Sequence, residues 1–561
     1  MSIRDYSEGL NFAIMIDSYY VNQWQYDSIE SLMREPGVKL VALILNNSET
    51  RKYNKRALSK SWHNVLFKCY QRSLFKPKII RKKSIEELAG NVPVIICSTE
   101  LRGEYEYFHK SDIETIQNCR PDFIISFGFS NIRGEILTAT PLGIWAFHHG
   151  DEQKFRGYPH AFWEIYTNDH KTGAILHRLT EDTDSGIILR KGHFKTIDHS
   201  WSLNYTQVVE LTKRWPADVC REIINQNTFP DATKGVETIA QIYNMPGNTT
   251  FFLFLLKLLN NKIRYHFNEL FSSEIWQTGV IKARTADIIG ELTYTIDPLE
   301  VDWYAAKGKD KYYADSFAIR LSERLLLLYE DYSYKDRLGK ISAVWFNERD
   351  FTFSEPVTLL EEPWHLSYPF IFKHNNIIYC IPSCIDKGSI DLYRLDVQTL
   401  KLVHERALVK GVSAIDPTLI FHQNHWFLFF TSSKAANVEL HIWHSDDLDK
   451  EFIPHVLNPV KSNISNSRPA GPLFYLDGRL YRPSQDCSRS YGGRVIIHEV
   501  KVLSEDSFLE MAVSVLEPPE GFNGLHTISF AGDFMYFDAK KSAFSPASFK
   551  YHLKRKLGLT K

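Results

Sequence analysis

The sequence predicts an α/β Rossmann-like domain followed by an all-β five-bladed propeller. Two apolar runs, Asn11 to Ile16 and Val38 to Leu45, flank an amphipathic stretch from Asn22 to Met33, a pattern typical of a βαβ unit in a parallel sheet. From about residue 285 the pattern changes to short alternating strands between Gly, Asn and Asp turns, which indicates an all-β unit. We therefore expect domains at 1–230 and 286–545, a helical bridge over 231–285, and a basic tail over 546–561.

Length and composition favour an ordinary globular enzyme or binding protein. The chain has 561 residues, 44% of them apolar and 24% charged, which is too long for a single core. The net charge of -1 gives no global reason to bind nucleic acid or an anionic membrane, so we expect small-molecule partners and no nucleic acid. The sequence predicts no oligomeric state.

The chain start and the cysteines indicate a cytoplasmic protein. No apolar run at the start is long enough for a signal peptide, and seven widely spread cysteines favour free thiols in a reducing compartment. The apolar patch Phe251 to Leu259 has about half the length of a transmembrane segment. We predict no transmembrane segment and interpret this patch as an interdomain helix, with a membrane contact as the alternative.

Two further features of the first domain bear on its ligands. There is no GxGxxG after the first strand, which disfavours a dinucleotide cofactor. Residues 51–83 form a basic stretch interleaved with aromatic residues. It suits phosphate or nucleic-acid binding, and the alternative is a solvated helical face.

The stretch 141–190 concentrates polar side chains at the predicted end of a strand. The run from Ile144 to Phe147 is followed by His148, His149 and Asp151, and the turn Asp184-Ser185-Gly186 returns another carboxylate. This predicts an acid/base cluster. His and carboxylates are ordinary metal ligands, but adjacent His residues on an extended chain point to opposite faces, so we predict no metal site.

The order of these residues resembles the formyltransferase domain of methionyl-tRNA, glycinamide-ribonucleotide and sugar-nucleotide formyltransferases. The resemblance covers roughly residues 10–230 and rests on His148, Arg156-Gly157, Thr172-Gly173 and Asp184-Ser185-Gly186. It implies 10-formyltetrahydrofolate as cofactor and catalytic roles for His148 and Asp184. Ala146 stands at the position of the family's Asn, so His149 and Asp151 are expected to substitute for it. The positions expected near the cofactor are Phe127, Gly128, Phe129, Arg156 and Gly157.

A weak repeat marks the second half of the chain. Strand pairs begin about every 50 residues, a spacing that suits propeller blades, at Asp315-Ser316-Phe317, Tyr368-Pro369-Phe370, Asp416-Pro417-Thr418, Arg468-Pro469-Ala470 and Gly524-Leu525-His526-Thr527. The first strands of blades line a central funnel, so their leading residues predict a sugar pocket. Its expected members are Asp315, Tyr368, Asp416, Arg468, Arg482, Gln485, Asp486 and His526, with Tyr491 as a further polar group and Trp364 to stack on a sugar.

This pattern resembles the five-bladed propellers of some glycoside hydrolases. Over roughly residues 290–545 it more closely resembles the N-terminal region of plant glucosamine inositolphosphorylceramide transferases. The resemblance implies that this half of the chain recognises a carbohydrate.

Together the two resemblances predict transfer of a formyl group to an amine. The expected acceptor is an amino sugar, free or nucleotide-linked, in glycan or polysaccharide biosynthesis. One alternative is a glycosidase or glycosyl-transfer enzyme that uses Asp315, Glu330 and Asp416, since glycoside hydrolysis needs two suitably placed carboxyl groups. The other is a catalytically dead transferase that serves as a carbohydrate-binding scaffold.

Overall fold

The computed structural model describes residues 5–47, 62–103, 105–129, 131–181, 186–229, 233–234, 240–307, 310–544, 549 and 553. Contacts divide the chain into two compact units, residues 1–264 (unit 1) and 265–561 (unit 2). The boundaries at residues 230 and 285 stay a prediction. Asp184, and all of the basic tail except Phe549 and Leu553, lie outside the described residues.

Unit 1 combines a large sheet with several helices. Its strands are β1 Leu10–Ile16, β2 Tyr20–Asn22, β3 Val38–Asn46, β4 Lys82–Ser84, β5 Val94–Cys97, β6 Thr99–Arg102, β7 Tyr105–Phe108, β8 Phe123–Ser126, β9 Ile132–Arg133, β10 Ile144–His148, β11 Arg156–Gly157, β12 Lys171–Arg178, β13 Ile187–Lys195, β14 Thr233–Lys234 and β15 Ile242–Tyr243. Its helices are α1 Gln23–Arg34, α2 Val65–Ser73, α3 Glu86–Ala89, α4 Lys110–Asn118, α5 Trp163–Thr167, α6 Trp201–Thr212, α7 Trp215–Gln226 and α8 Asn248–Phe271, the last of which runs past residue 264 into unit 2.

The main sheet of unit 1 has the strand order β14-β13-β12-β10-β8-β1-β3-β5. Within this order, the neighbouring strands β10, β8, β1, β3 and β5 pair in parallel. Strand β1 is almost entirely buried between β3 and β8, as expected for an apolar run at the centre of a parallel sheet. Because β8 and β10 are parallel neighbours, the residues after Ser126 and after His148 emerge at the same sheet edge.

The predicted fold class, an α/β Rossmann-like formyltransferase domain plus an all-β five-bladed propeller, is wrong in its first part, the Rossmann-like domain. Most of the described structure is β-sheet with few helices. The unit 1 sheet is not a doubly wound parallel sheet, because β12, β13 and β14 join it antiparallel to their neighbours. Apolar periodicity identifies a buried strand but does not fix its direction, so the sequence pattern did not distinguish these strands from a parallel continuation.

Unit 2 is built almost entirely of strands. These are β16 Ser272–Ile281, β17 Thr293–Thr295, β18 Asp302–Tyr304, β19 Lys311–Leu321, β20 Arg324–Ser333, β21 Leu338–Asn347, β22 Thr352–Phe353, β23 Val357–Leu360, β24 Ser367–His374, β25 Ile377–Ser383, β26 Ser389–Asp396, β27 Lys401–Lys410, β28 Ala414–His422, β29 His425–Ser432, β30 Glu439–Ser445, β31 Ile453–Pro454, β32 Lys461–Ser462, β33 Phe474–Leu476, β34 Arg479–Asp486, β35 Arg494–Leu503, β36 Phe508–Glu517, β37 Gly524–Ala531 and β38 Phe534–Phe544. The helix α9 Thr285–Ile289 lies between β16 and β17.

The described strands of unit 2 form five mainly antiparallel sheets of four or five strands, the arrangement of a propeller. Blade 1 is β19–β23, blade 2 is β24–β27, blade 3 is β28–β32, and blade 4 is β33–β36 with β17 at its outer edge. Blade 5 has the order β18-β16-β38-β37. The first long strand of the unit therefore pairs with its last, from Ser272↔Phe544 to Ile281↔Met535, which closes the ring and leaves no free sheet edge between them.

The innermost strands of the blades share a local irregularity. The pairing register shifts between Ala314 and Phe317 in β19, and at the matching place in β24, β28 and β37. Each shift marks a two-residue bulge, formed by Asp315-Ser316, Tyr368-Pro369, Asp416-Pro417 and His526-Thr527. A bulge re-aims side chains away from the ordinary alternation of a strand.

Candidate functional site

A cavity of about 150 Å³ opens among the inner strands of unit 2. We call it the central cavity. A water molecule occupies about 30 Å³ in the liquid, so this space admits only a small ligand or one end of a larger one. Its lining includes Trp276, Tyr312, Asp315, Glu330, His365, Arg468, Tyr491 and His526.

Asp538, fully buried on β38, anchors two of the bulges. Its carboxylate accepts hydrogen bonds from the backbone N–H of Asp315 (2.8 Å), His526 (3.1 Å) and Thr527 (3.0 Å). The Nδ1 atom of His526 lies 2.7 Å from Asp538 Oδ1. One carboxylate therefore ties the inner strand of blade 1 to that of blade 5 and fixes the imidazole at the cavity.

Asp315 continues this network to blade 2. Its Oδ2 atom accepts a hydrogen bond from the Tyr368 N–H at 3.0 Å, and its Oδ1 atom accepts one from the Thr527 hydroxyl at 2.9 Å. Asp315, Tyr368 and Asp416 all have positive φ, at 52°, 45° and 53°, which is uncommon for residues other than glycine. The strained positions repeat in blades 1, 2 and 3, and Asp315 among them lines the cavity, as is common at functional sites.

The central cavity has an aromatic wall. The Trp276 ring stacks on the His526 imidazole at a centroid distance of 3.9 Å, and Tyr491 meets the same imidazole edge-on at 5.4 Å. Burial lowers the pKa of His526, but the carboxylates of Asp538 and Asp315 outweigh burial and raise it above its usual value. The imidazole is thus held toward its charged form beside an indole face.

Two carboxyl groups line the cavity in environments that disfavour ionisation. Burial, opposed by His526 and reinforced by Asp416, raises the pKa of Asp315 to about 6. Burial and the nearby Asp315 raise the pKa of Glu330 well above its usual value. Glu330 Oε1 lies 3.6 Å from His365 Nε2 and 3.5 Å from the Tyr312 hydroxyl. Both carboxyl groups are therefore shifted toward their protonated forms relative to exposed carboxylates.

Arg468 brings a fixed positive charge to the cavity. Its guanidinium donates to both carboxylate oxygens of Asp416, at 2.6 and 3.3 Å, and to the Tyr491 hydroxyl at 3.1 Å. Gln485 donates to the same carboxylate at 3.0 Å. Asp416 is thus engaged in a bidentate pair and orients Arg468, so Asp315 and Glu330 are the carboxyl groups that face the cavity.

The structure brings together only part of the predicted sugar-pocket set. Asp315, Arg468 and His526 line the cavity, while the Tyr368 hydroxyl bonds to Thr418 and to the Gly471 N–H beneath it. Other predicted members lie elsewhere. Arg482 is buried against Glu510 at 2.7 Å, Asp486 pairs with Arg494 at 3.0 Å, and Trp364 packs on the core of the blades.

Trp276 and Asp538 were missed by the sequence analysis. Trp276 lies on β16, in a stretch assigned to the helical bridge, and its apolar residues fall on both faces of the strand, so alternation gave no signal. Only the pairing of β38 with β37 and β16 brings Asp538 to the site, and no local sequence pattern reveals that pairing.

Among the described residues, Asp315, His526 and Asp538 each offer one ligand atom within 4.8 Å of the other two, a grouping that could hold a metal ion. Their atoms already serve one another and the backbone N–H groups of the bulges. A cation would have to displace the proton that the carboxylates hold on His526.

Unit 1 has a separate and larger cavity of about 880 Å³. Of the residues predicted there, Phe127, Gly128, Phe129, His148, His149, Arg156 and Gly157 line it, as do Trp24, Ala146, His160, His177 and Tyr205, most of which the sequence analysis did not single out. The Phe129 N–H donates to Asp17 Oδ1 at 3.0 Å, and a side chain on Gly128 would collide with the Asp17 backbone. The loop after β8 therefore passes tightly against β1.

Three neighbouring histidines of the unit 1 cavity, His148, His149 and His160, are shifted toward their neutral forms. His148 and His149 both lie 5.8 Å, centroid to centroid, from His160. Strand alternation does not separate them, because β10 ends at His148. Burial lowers the pKa of His148, lowers that of His149 well below its usual value, and lowers that of His160 to about 3.

Asp151 stands apart from the histidines of this cavity. Its carboxylate faces His193 at 3.4 Å and Lys191 at 3.7 Å. Although burial opposes it, these partners and the Gln153 N–H hold the pKa of Asp151 well below its usual value. It is an ionised partner of β13 rather than a proton donor.

Residues 304–524 match the protein-family model of the N-terminal region of glucosamine inositolphosphorylceramide transferase 1. The rice (Oryza sativa subsp. japonica) protein of that name is 33% identical over 208 residues, which cover 36% of this chain and 28% of the rice protein. The predicted resemblance of the propeller half to these transferases is therefore confirmed. The chain spans less than a third of the length of this relative.

Two solved structures align with parts of the chain at low similarity. A family 117 glycoside hydrolase from Zobellia galactanivorans covers 48% of this chain and 91% of its own, at 14% identity and a TM-score of 0.32. A glycinamide ribonucleotide transformylase from Symbiobacterium toebii covers 39% of this chain and 89% of its own, at 14% identity and a TM-score of 0.27. Scores this low carry no argument about function.

These comparisons correct the functional interpretation. The matched family and relative are named glucosamine inositolphosphorylceramide transferase 1, which supports a transferase but not the predicted formyltransferase. Binding of 10-formyltetrahydrofolate and a cytoplasmic location remain predictions that no observation tests. Among the described residues, no helix is long and apolar enough to span a bilayer.

Proposed function

We propose that unit 2 binds a sugar in its central cavity and that the protein takes part in transfer of a glycosyl group. The observation that carries this proposal is the lining itself. An aromatic face formed by Trp276 and Tyr491 stands beside Asp315, Glu330 and Arg468. Sugar rings present C–H faces to aromatic side chains and hydroxyl groups to charged ones, and binding sites combine an apolar surface with a few convergent polar groups.

The family match supports the sugar class. The relatives are named for the transfer of glucosamine, and the matched segment contains Asp315, Glu330, Arg468 and Tyr491. Since the match covers a small part of the relatives, the cavity is proposed as the recognition site for the sugar, and the transfer activity is proposed for the protein as a whole.

Sugar binding is tested by isothermal titration of the full chain with glucosamine, N-acetylglucosamine, galactose and arabinose. We expect saturable binding of an amino sugar. Trp276→Ala should weaken it by about tenfold or more, since loss of an aromatic contact costs about 1 kcal/mol beyond lost area. Trp62→Ala removes an indole that is 86% exposed in unit 1 and is the matched control. Equal binding by wild type and Trp276→Ala would refute the assignment of the cavity.

Hydrolysis of a glycoside is a second candidate, favoured by one observation. Asp315 and Glu330 line one small cavity, and both have raised pKa values; two neighbouring carboxyl groups with shifted pKa values suit acid/base work. Incubation with p-nitrophenyl glycosides and with nucleotide-linked sugars separates the activities. Release of nitrophenol that Glu330→Gln abolishes indicates hydrolysis, and release of nucleotide only in the presence of an acceptor indicates transfer.

A further inference from the structure

The helix α8 carries an apolar stripe that faces solvent. Phe252, Leu256, Leu259 and Ile263 are 53, 50, 56 and 61% exposed, and the adjacent Leu253 is 48% exposed. Steps of four, three and four residues place the first four on one face of a helix. Large apolar side chains that are half exposed in a continuous row mark an interaction surface rather than ordinary surface variation.

The opposite face of α8 fixes the stripe in place. Phe251 and Phe254 are fully buried in an aromatic cluster of unit 1, where Phe254 stacks on Phe162 at 4.1 Å and Phe251 meets Phe67 edge-on at 5.5 Å. Asn261 donates to the Asp198 carbonyl at 3.0 Å. Because these contacts set the rotation of the helix, the stripe cannot turn inward without breaking the cluster.

The start of α8 is joined to the basic segment 62–83. Asn248 donates to the Trp62 carbonyl at 2.8 Å and accepts from the Leu66 N–H at 3.0 Å. Trp62 is 86% exposed and Leu66 44% exposed, so both extend the apolar surface. Residues 62–83 include seven Lys or Arg and no Asp or Glu.

Basic residues also flank the stripe along α8. At about 100° per residue, Lys262 lies about 90° to one side of its centre and Arg264 about 110° to the other. Both are exposed, and Arg264 also pairs with Asp198 at 2.5 Å. An apolar face edged by basic residues, with an exposed indole at one end, is the pattern of a helix that lies in a membrane interface.

We propose that α8, together with residues 62–78 of the basic segment 62–83, docks on an anionic lipid surface. The charge identifies the occupant. A second copy of the chain would bring two basic segments together, whereas anionic headgroups complement them. A nucleic acid would leave the aliphatic row without a partner. This inference does not depend on the proposed sugar-binding function.

The test is co-flotation of the full chain with vesicles of phosphatidylcholine alone and of equal parts phosphatidylcholine and phosphatidylglycerol. We expect binding to the anionic vesicles that weakens as salt is raised, because salt screens the headgroup attraction. Leu256→Gln/Leu259→Gln should lower the partition coefficient by about tenfold or more, because each buried CH₂ strengthens interfacial binding.

The basic residues are tested separately by Arg72→Glu/Lys76→Glu, two exposed positions at which charge reversal should abolish the preference for anionic vesicles. The matched controls are Leu292→Gln/Leu299→Gln, 85 and 92% exposed in unit 2, and Lys335→Glu/Lys410→Glu. The controls should leave binding unchanged.

Three results would overturn the proposal. The first is no binding to either vesicle, or equal binding by all variants. The second is a dimer in sedimentation velocity that Leu256→Gln/Leu259→Gln dissociates, which would make a second copy the occupant. The third is a clear fall in melting temperature for the same pair, which would show that the stripe is packed within the folded chain.

Discussion

Asp538→Asn should loosen the inner strands of blades 1 and 5 and move His526 out of its charged form. The native carboxylate accepts from three backbone N–H groups at 2.8–3.1 Å and faces His526 Nδ1 at 2.7 Å. An asparagine side chain has one acceptor oxygen, so its NH₂ group must point at a backbone donor if the oxygen keeps the others. A buried donor without a partner costs about 1–3 kcal/mol.

The lost charge adds to this penalty. Removing one member of a buried, hydrogen-bonded pair costs about 3–5 kcal/mol, and part of it is recovered when His526 releases its proton, at about 1.4 kcal/mol for each pH unit by which its pKa falls. We therefore expect a net loss of about 3 kcal/mol or more. That corresponds to about 150-fold faster amide exchange, if exchange proceeds through opening of these strands.

Hydrogen-exchange mass spectrometry of peptides covering β19, β37 and β38 measures this loss where it arises. Asp533→Asn is the matched control, since Asp533 is an exposed residue in the turn of the same hairpin and surface substitutions usually stay within about 0.5 kcal/mol. Exchange of Asp538→Asn within fivefold of wild type would refute the view that this carboxylate holds the two blades together.

Three further predictions concern the same unit. The pKa of Asp315 is raised to about 6, so its contribution to stability is complete below about pH 4 and is lost as pH rises through 6. Asp315→Asn should therefore flatten the pH dependence of the unfolding free energy measured in urea melts over that window. An unchanged slope of unfolding free energy against pH would contradict this. Glu510→Gln leaves Arg482, 1% exposed, without its counter-charge and should lower the free energy of unfolding in urea melts by about 3–5 kcal/mol. A loss below about 1 kcal/mol would contradict this. Gly471→Ala, at φ 129° with a carbonyl oxygen 1.9 Å from the new Cβ, should lower the melting temperature far more than Gly478→Ala, which meets nothing within 4 Å.

The repeat in the second half of the sequence located the cavity because one structural need recurs in it. The inner strands of blades 1, 2, 3 and 5 each carry a bulge, and Asp315, Tyr368 and Asp416 lead three of those bulges with positive φ. The dipeptides that begin the strand pairs therefore recur at a regular interval in the sequence. What the spacing could not supply was the partner of each residue, since Asp538 lies over 200 positions from Asp315 in the chain.

Strand alternation explains two misplaced site residues. Arg482 and Asp486 share one face of β34, where they meet Glu510 and Arg494, while Gln485 has the opposite parity and reaches Asp416. The period of two in a strand, applied to Arg479–Asp486, would have separated Gln485 from the other two. In unit 1, by contrast, no periodicity could have shown that β12 and β13 run antiparallel.

The two cavities shift the pKa of buried histidines in opposite directions, and this difference indicates which cavity suits proton transfer. His148, His149 and His160 are buried with one another as neighbours, so desolvation and mutual repulsion lower their pKa values. His526 is as deeply buried, yet the carboxylates of Asp538 and Asp315 raise its pKa.

The central cavity of unit 2 therefore favours a charged imidazole, and it also holds Asp315, whose pKa is about 6, and Glu330, whose pKa burial raises. Proton transfer near neutral pH requires groups poised in that range. In the unit 1 cavity, burial instead lowers the pKa of His148, His149 and His160. These opposite shifts favour the central cavity of unit 2 as the place of the proposed acid/base chemistry.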